Sequence, residues 1–114
     1  MEIFTRREGK VTVVSLSGAV VGGEAEASLR STFRGLLDSG DRLFVFHMTA
    51  VPYLDSAGVG ELVGCAKRDY ERGGAIKIVL APRGPVREIF KVTSLDKVFE
   101  IFEHEAEAVA SFEG

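Results

Sequence analysis

The sequence predicts an α/β fold: a mixed central β-sheet of about four to five strands with about four helices packed mainly on one side. Three observations carry this reading. Runs rich in β-branched and apolar residues alternate with segments of helical period. The first two strand-like runs are joined only by the turn Arg7-Glu8-Gly9-Lys10, so the sheet begins as a hairpin. The next two are separated by a full helical segment, giving a β-α-β unit with a right-handed crossover. The 114 residues suffice for one domain, 1–114, with one core.

Taken in order, residues 2–5 form a short strand, and Val11-Thr12-Val13-Val14-Ser15-Leu16 form a second, rich in β-branched side chains. Gly22 and Gly23 mark a loop. Ala25, Leu29, Phe33, Leu36 and Leu37 then make an apolar helical stripe opposite Glu24, Glu26, Arg30 and Arg34, ending near Ser39-Gly40. The strand at 42–48 contains the near-continuous apolar run Leu43-Phe44-Val45-Phe46-His47-Met48, the mark of a strand covered on both faces. A helix over 56–72 buries Val59, Leu62, Val63, Ala66 and Tyr70. A strand at 75–80, a helix at 83–91 burying Val86, Ile89 and Phe90, an edge strand at 98–101 and a last helix at 103–112 complete the chain. The eight phenylalanines, Phe4, Phe33, Phe44, Phe46, Phe90, Phe99, Phe102 and Phe112, mostly fit core periodicity.

Composition excludes several classes of function. An apolar fraction of 46% with 27% charged residues is that of a soluble globular domain. No run approaches the roughly 20 apolar residues of a membrane span, and residues 1–8 lack the pattern of a secretory signal. The single cysteine, Cys65, cannot form an internal disulfide, which agrees with a cytoplasmic location. Its place near the apolar stripe makes it a small buried side chain. A net charge of −3 argues against direct nucleic-acid binding. Lys67, Arg68 and Arg72, diluted by Asp69 and Glu71, read as a solvated face. No Gly-x-x-x-x-Gly-Lys-Ser/Thr loop and no His/Cys cluster with ligand spacing occurs, so no cofactor or metal is expected.

The functional candidate is the hydroxyl of Ser56 in Tyr53-Leu54-Asp55-Ser56-Ala57-Gly58-Val59-Gly60-Glu61-Leu62, where a strand gives way to a helix. Ser56 or Asp55 is the N-cap of that helix. Gly58 and Gly60 are costly in a helix and suit a backbone that another protein approaches closely, so a bulky residue at 58 is expected to impair docking more than stability. Three roles compete for Ser56. A hydrolase nucleophile needs a Gly-x-Ser-x-Gly elbow, but Leu54 stands at the first glycine, and neither His47 nor His104 has support as a base. The protein is therefore not read as an enzyme. A pure helix cap, worth about 1 kcal/mol, and a phosphorylation switch both remain open on the residues alone.

Asp-Ser-Ala-Gly-Val-Gly-Glu-Leu in this setting resembles the phosphoacceptor motif of STAS domains, the sulfate transporter and anti-sigma factor antagonist family. The likeness extends from Leu16-Ser17-Gly18 through Val51-Pro52-Tyr53-Leu54 and Arg72-Gly73-Gly74 to Pro85-Val86-Arg87-Glu88-Ile89-Phe90 and Thr93-Ser94-Leu95-Asp96-Lys97-Val98-Phe99. It implies a single STAS-like domain acting as an anti-sigma factor antagonist. The unphosphorylated form binds an anti-sigma factor that is itself a serine kinase and so releases a sigma factor; phosphorylation of Ser56 ends that binding, and a serine phosphatase restores it. ATP and metal then belong to the partners. The docking surface implied is Asp55, Ser56, Ala57, Gly58, Val59, Gly60 and Glu61, acidic through Asp55 and Glu61; from the residues themselves, Val20 and Val21, adjacent and apolar in the glycine-rich loop before it, form either part of an exposed partner-binding patch or a packing contact with the core. Two positions depart from the family pattern: the loop Gly18-Ala19-Val20-Val21-Gly22-Gly23-Glu24 lacks the usual early acid, and His47 replaces the common Asp or Asn. His47 is expected to be a hydrogen-bonded structural residue and His104 to be exposed. The alternative reading is a STAS subunit of an ABC-type transport assembly, or a stress-sensing scaffold, that docks without a phosphoswitch. Weak homodimerisation is left open.

Overall fold

In the computed structural model, which describes residues 1–113, the strands lie in one sheet in chain order, β1-β2-β3-β4-β5. β1 (Glu2–Glu8) and β2 (Val11–Ser17) form the antiparallel hairpin, turned at Gly9, whose φ of 63° a side chain would strain. β3 (Leu43–Ala50), β4 (Ala75–Val79) and β5 (Glu100–Phe102) are parallel to their neighbours, so the sheet is mixed. The intervening helices are α1 (Glu24–Asp38), α2 (Ser56–Tyr70), α3 (Pro85–Val92), α4 (Leu95–Val98) and α5 (Glu105–Ala110), the last followed by a 3-10 turn, Ser111–Glu113.

Strand alternation divides the core in two. Phe44, Phe46 and Met48 of β3, with Val14, Leu16, Ile76 and Ile78, face α1 to α4. There Phe33 of α1 meets Phe44 and Phe46 with ring centroids at 4.8 and 5.7 Å. Val11, Val13, Val45 and Val79 point the other way and are covered by Ala108 of α5 with Val109 and Phe112. The apolar run of β3 is thus buried on both faces, and only α5 packs on the second side. Lys77 helps hold that cover: its ammonium lies 4.2 Å from the Phe112 ring centroid and donates to Ser111 Oγ at 2.6 Å.

Several expectations need correction, Val63 among them: expected in the buried stripe of α2, it is 41% exposed. α4 is an additional one-turn helix, entered through Ser94 at φ 61°; four residues are too few to display a period. Phe4 is 60% exposed on the edge strand rather than in the core. Tyr70 is 81% exposed, because α2 turns Leu62, Cys65 and Asp69 inward and Tyr70 lies one residue, about 100°, further round.

That rotation buries an acid. Asp69 is 0% exposed, and neither carboxylate oxygen has a hydrogen-bond partner. Gly74 completes its surroundings: a Cβ there would fall 2.1 Å from Asp69 Oδ1 and 2.3 Å from the Arg42 carbonyl oxygen. Burial pushes the Asp69 carboxyl up to about 6, against the opposing pull of the Arg42 and Arg72 charges. A raised carboxyl pKa stabilises the fold fully only below the unfolded value near 4; that contribution is lost as pH rises through about 6. Asp69→Asn removes the penalty, and urea unfolding should show the variant more stable than the parent by about 2 kcal/mol at pH 7.5, with the gap narrowing toward pH 4. A gap independent of pH would contradict this account.

Candidate functional site

The segment around Ser56 is built by stitching together the loops that follow β2 and β3. Val20 and Leu54 form an isolated parallel bridge, with the Val20 N–H donating to Tyr53 O at 3.0 Å. Both side chains are in the core, Val20 at 0% and Leu54 at 2% exposure. Immediately after this bridge the chain enters α2 with Asp55 as N-cap, its backbone extended at φ −97°, ψ −176°. Asp55 Oδ1 accepts from the Gly58 N–H at 2.9 Å, and Oδ2 accepts from the Gly22 N–H, also at 2.9 Å. The N–H of Gly22, then that of Gly58, hold the carboxyl below its ordinary value. One carboxylate therefore caps the helix and ties down the neighbouring loop.

Of the two cap candidates it is Asp55 that caps. Ser56 occupies the first helical position, exposed, with its hydroxyl released from capping. Ala57 and Val59 are half-buried and Gly60 is exposed, so these stand beside Ser56 on an accessible surface. Val21 is half-buried in the loop.

Three residues expected at the docking surface lie inside. Val20 is a core residue, fixed there by the bridge to Leu54. Gly58 is buried, and a Cβ on it would fall 2.0 Å from the Val20 carbonyl oxygen. The body approaching Gly58 is therefore the chain's own loop. Gly60, by contrast, faces open space. Glu61 is 4% exposed and lies between two guanidinium groups: Arg30 Nε of α1 donates to Oε1 at 2.8 Å and Arg68 Nη1 to Oε2 at 3.0 Å. Arg30 also donates to Glu26 at 3.0 Å. Glu61 thus clamps α1 to α2 and contributes no acidity to the surface, and Arg68 leaves the solvated basic face to join it. Sequence placed Arg30 and Arg68 on polar helix faces without pairing either with Glu61; the seven-residue step from Glu61 to Arg68 was the available signal.

Cys65 is buried, its thiol 3.6 Å from Glu61 Oε2, and burial pushes its pKa up, so it is a packing residue. His47 lies on the α5 face of the sheet, Nδ1 2.7 Å from Glu105 Oε1 and Nε2 2.9 Å from Thr49 Oγ1, the structural role expected of it. Arg6 pairs with the same Glu105 and is the main reason that carboxyl is held low. Among the described residues no cluster of His, Cys, Asp and Glu suited to a metal is present.

Gly58 and Gly60, two of the three glycines of α2, should respond oppositely to the same substitution. Gly58→Ala forces the loop off α2 and should cost about 1 to 3 kcal/mol, whereas Gly60→Ala should stabilise by about 0.5 to 1 kcal/mol by restricting the unfolded chain and improving helix propensity. Urea unfolding of both variants checks the pair; equal effects would refute the approach of Val20 to Gly58.

The family model for the STAS domain matches residues 2–108. Solved structures share the fold. An anti-sigma factor antagonist from Mycobacterium paratuberculosis superposes with a TM-score of 0.84 at 21% identity, over 99% of this chain and 94% of that one. The anti-sigma factor antagonist SpoIIAA, a Bacillus protein, in its unphosphorylated form gives 0.73 at 18% identity over 99% of both chains. A sulfate transporter family protein from Wolinella succinogenes gives 0.67 at 18% identity, over 90% and 84%. At such identities the superpositions establish the fold, the mixed sheet with α1 to α4 on one face. The family match spans both loops and the helix that Asp55 ties together: this chain belongs to the STAS domain family.

Proposed function

We propose that the protein is an anti-sigma factor antagonist whose unphosphorylated form binds a serine-kinase anti-sigma factor and thereby releases a sigma factor. Phosphorylation of Ser56 switches it off, and a serine phosphatase resets it. The observation that carries this reading is the exposed hydroxyl at the start of α2 beside a carboxylate that already performs the capping. SpoIIAA, similar in fold, is known in both unphosphorylated and phosphorylated forms.

The chemistry asks little of this chain. The partner kinase transfers the terminal phosphoryl group of ATP to Ser56 Oγ, forming the new O–P bond as the bond to ADP breaks, and takes up the hydroxyl proton; hydrolysis by the phosphatase reverses the modification. Phosphoserine adds about −1.5 to −2 charges at a helix N-terminus, where the dipole and free N–H groups tolerate it. The fold is therefore retained. The interface is not, because a partner seated on Ala57, Val59 and Gly60 must desolvate that dianion next to Asp55. A penalty of about 3 to 5 kcal/mol corresponds to roughly 100- to 5000-fold weaker binding. Among the described residues no helix is long and apolar enough to cross a membrane.

The second reading, a docking subunit of a transport assembly, draws on the similarity in fold to the Wolinella sulfate transporter family protein. A pull-down from native lysate with wild-type and Ser56→Glu baits separates the two. A kinase-like partner held by the wild type and lost by the variant is expected; a transporter ATPase held equally by both would overturn the switch. With the partner in hand, Ser56→Ala should bind as tightly as wild type and resist inactivation by ATP. Gly60→Leu should weaken binding at least tenfold by calorimetric titration while leaving the fold intact, since position 60, unlike 58, opens to solvent.

A further inference from the structure

The far end of α2 carries a second surface that the switch does not use. Tyr70, Val98 and Val63 are 81%, 55% and 41% exposed, an unusual grouping of large apolar side chains. They border a groove of about 380 Å³ between α2 and the start of β4, floored by Ala66, Ile76 and Phe99. Lys67 is the charged residue lining it. Tyr70 lies about 21 Å along the helix from Ser56 at 1.5 Å per residue, so an occupant of this groove leaves the switch free.

We infer that this groove is the contact surface of a weak, two-fold symmetric dimer of this chain. Two properties select a second copy as the occupant. First, a projecting aromatic ring and a hollow that can receive one stand side by side on one surface, which is what an isologous interface requires: each copy offers the knob and the hole at once. Second, the charges complement themselves. Lys67 and Glu71, both exposed, lie four residues apart on one flank of the α2 C-terminal region. When two α2 helices meet antiparallel across a two-fold axis at the level of Asp69, each Lys67 faces Glu71 of the other copy, and the pair occurs twice. The surface is small, one face of α2 with the tip of α4, so it falls below the roughly 1,200 Å² of stable complexes and the dimer is a weak one. This inference does not depend on phosphorylation of Ser56.

Sedimentation equilibrium of the isolated chain from about 20 μM to 1 mM tests it, a range matched to dissociation constants near 0.1 to 1 mM. The weight-average mass of the wild type should rise toward twice the monomer value, and that of Tyr70→Lys should stay monomeric with an unchanged urea unfolding curve. Lys67→Glu should weaken association at least threefold, and the double variant Lys67→Glu/Glu71→Lys should restore it. A wild type that stays monomeric at 1 mM, association unaltered by Tyr70→Lys, or failure of the double variant to recover would overturn the dimer as described. Ser56→Glu should self-associate like the wild type.

Discussion

Both oxygens of the Asp55 carboxylate are engaged by backbone N–H groups, one from Gly58 in the helix it caps and one from Gly22 in the loop after β2. The position of every accessible residue at the start of α2 follows from that division. The Gly58 bond sets where α2 begins and so puts Ser56 at its first residue. The Gly22 bond draws the other loop over the helix start, and this is possible only because Gly58 offers no Cβ to the Val20 carbonyl. Loop, cap and glycine form one constraint: loss of any member frees the others. Val20, with its side chain in the core and its backbone bonded to Tyr53, anchors the assembly to the sheet.

A second device fixes how α2 rolls against α1. Glu61 is held by Arg30 and Arg68, with Glu26 sharing Arg30. Such a buried group offers little net stability over an apolar pair of the same size, since desolvation offsets most of the attraction. What it supplies is geometric: guanidinium groups reaching in from two helices satisfy a buried carboxylate in one arrangement of α1 on α2. The same roll takes Asp69 into the interior without a partner and leaves Tyr70 outside. The helix thus trades a poorly placed carboxylate at its C-terminal end for a defined surface at its N-terminal end.

The extent to which this was legible in the sequence follows from what hydrophobic pattern can report. The hairpin, the β3–α2–β4 unit and the two-sided burial of β3 were readable because Leu43 to Met48 and the period of α1 and α2 are strong apolar signals. The details of α2 were not, because the residues that face inward include Gly58, Glu61 and Asp69, which no apolar pattern flags. Reading the helix by its hydrophobes alone rotated it enough to bury Tyr70 and expose Glu61. The same limit applies to Gly58: sequence shows that a glycine is costly in a helix, but only the register of Val20 against Leu54 shows that the chain itself fills the space. The place of Ser56 where strand gives way to helix was legible, whereas the identity of its capping neighbour depended on which side-chain oxygen reaches the Gly58 N–H.

The electrostatics of α2 explain why a charge placed at Ser56 can act on an interface without acting on the fold. The interactions that hold the start of the helix are made by backbone groups and Asp55, so none is lost when Ser56 is modified. The N-terminal dipole and unpaired N–H groups of the first turn partly compensate an added dianion. At the other end of the same helix the dipole is reversed, the groove is apolar, and Asp69 already resists ionisation, so an added negative charge there would oppose the fold itself. A helix asymmetric in this way tolerates modification at one end only. In the proposed switch, solvent would keep the dianion inexpensive for the free domain, and a partner seated on Ala57, Val59 and Gly60 would have to strip that solvent away. The cost of such a modification would therefore fall on the complex, which is the property a binding switch requires.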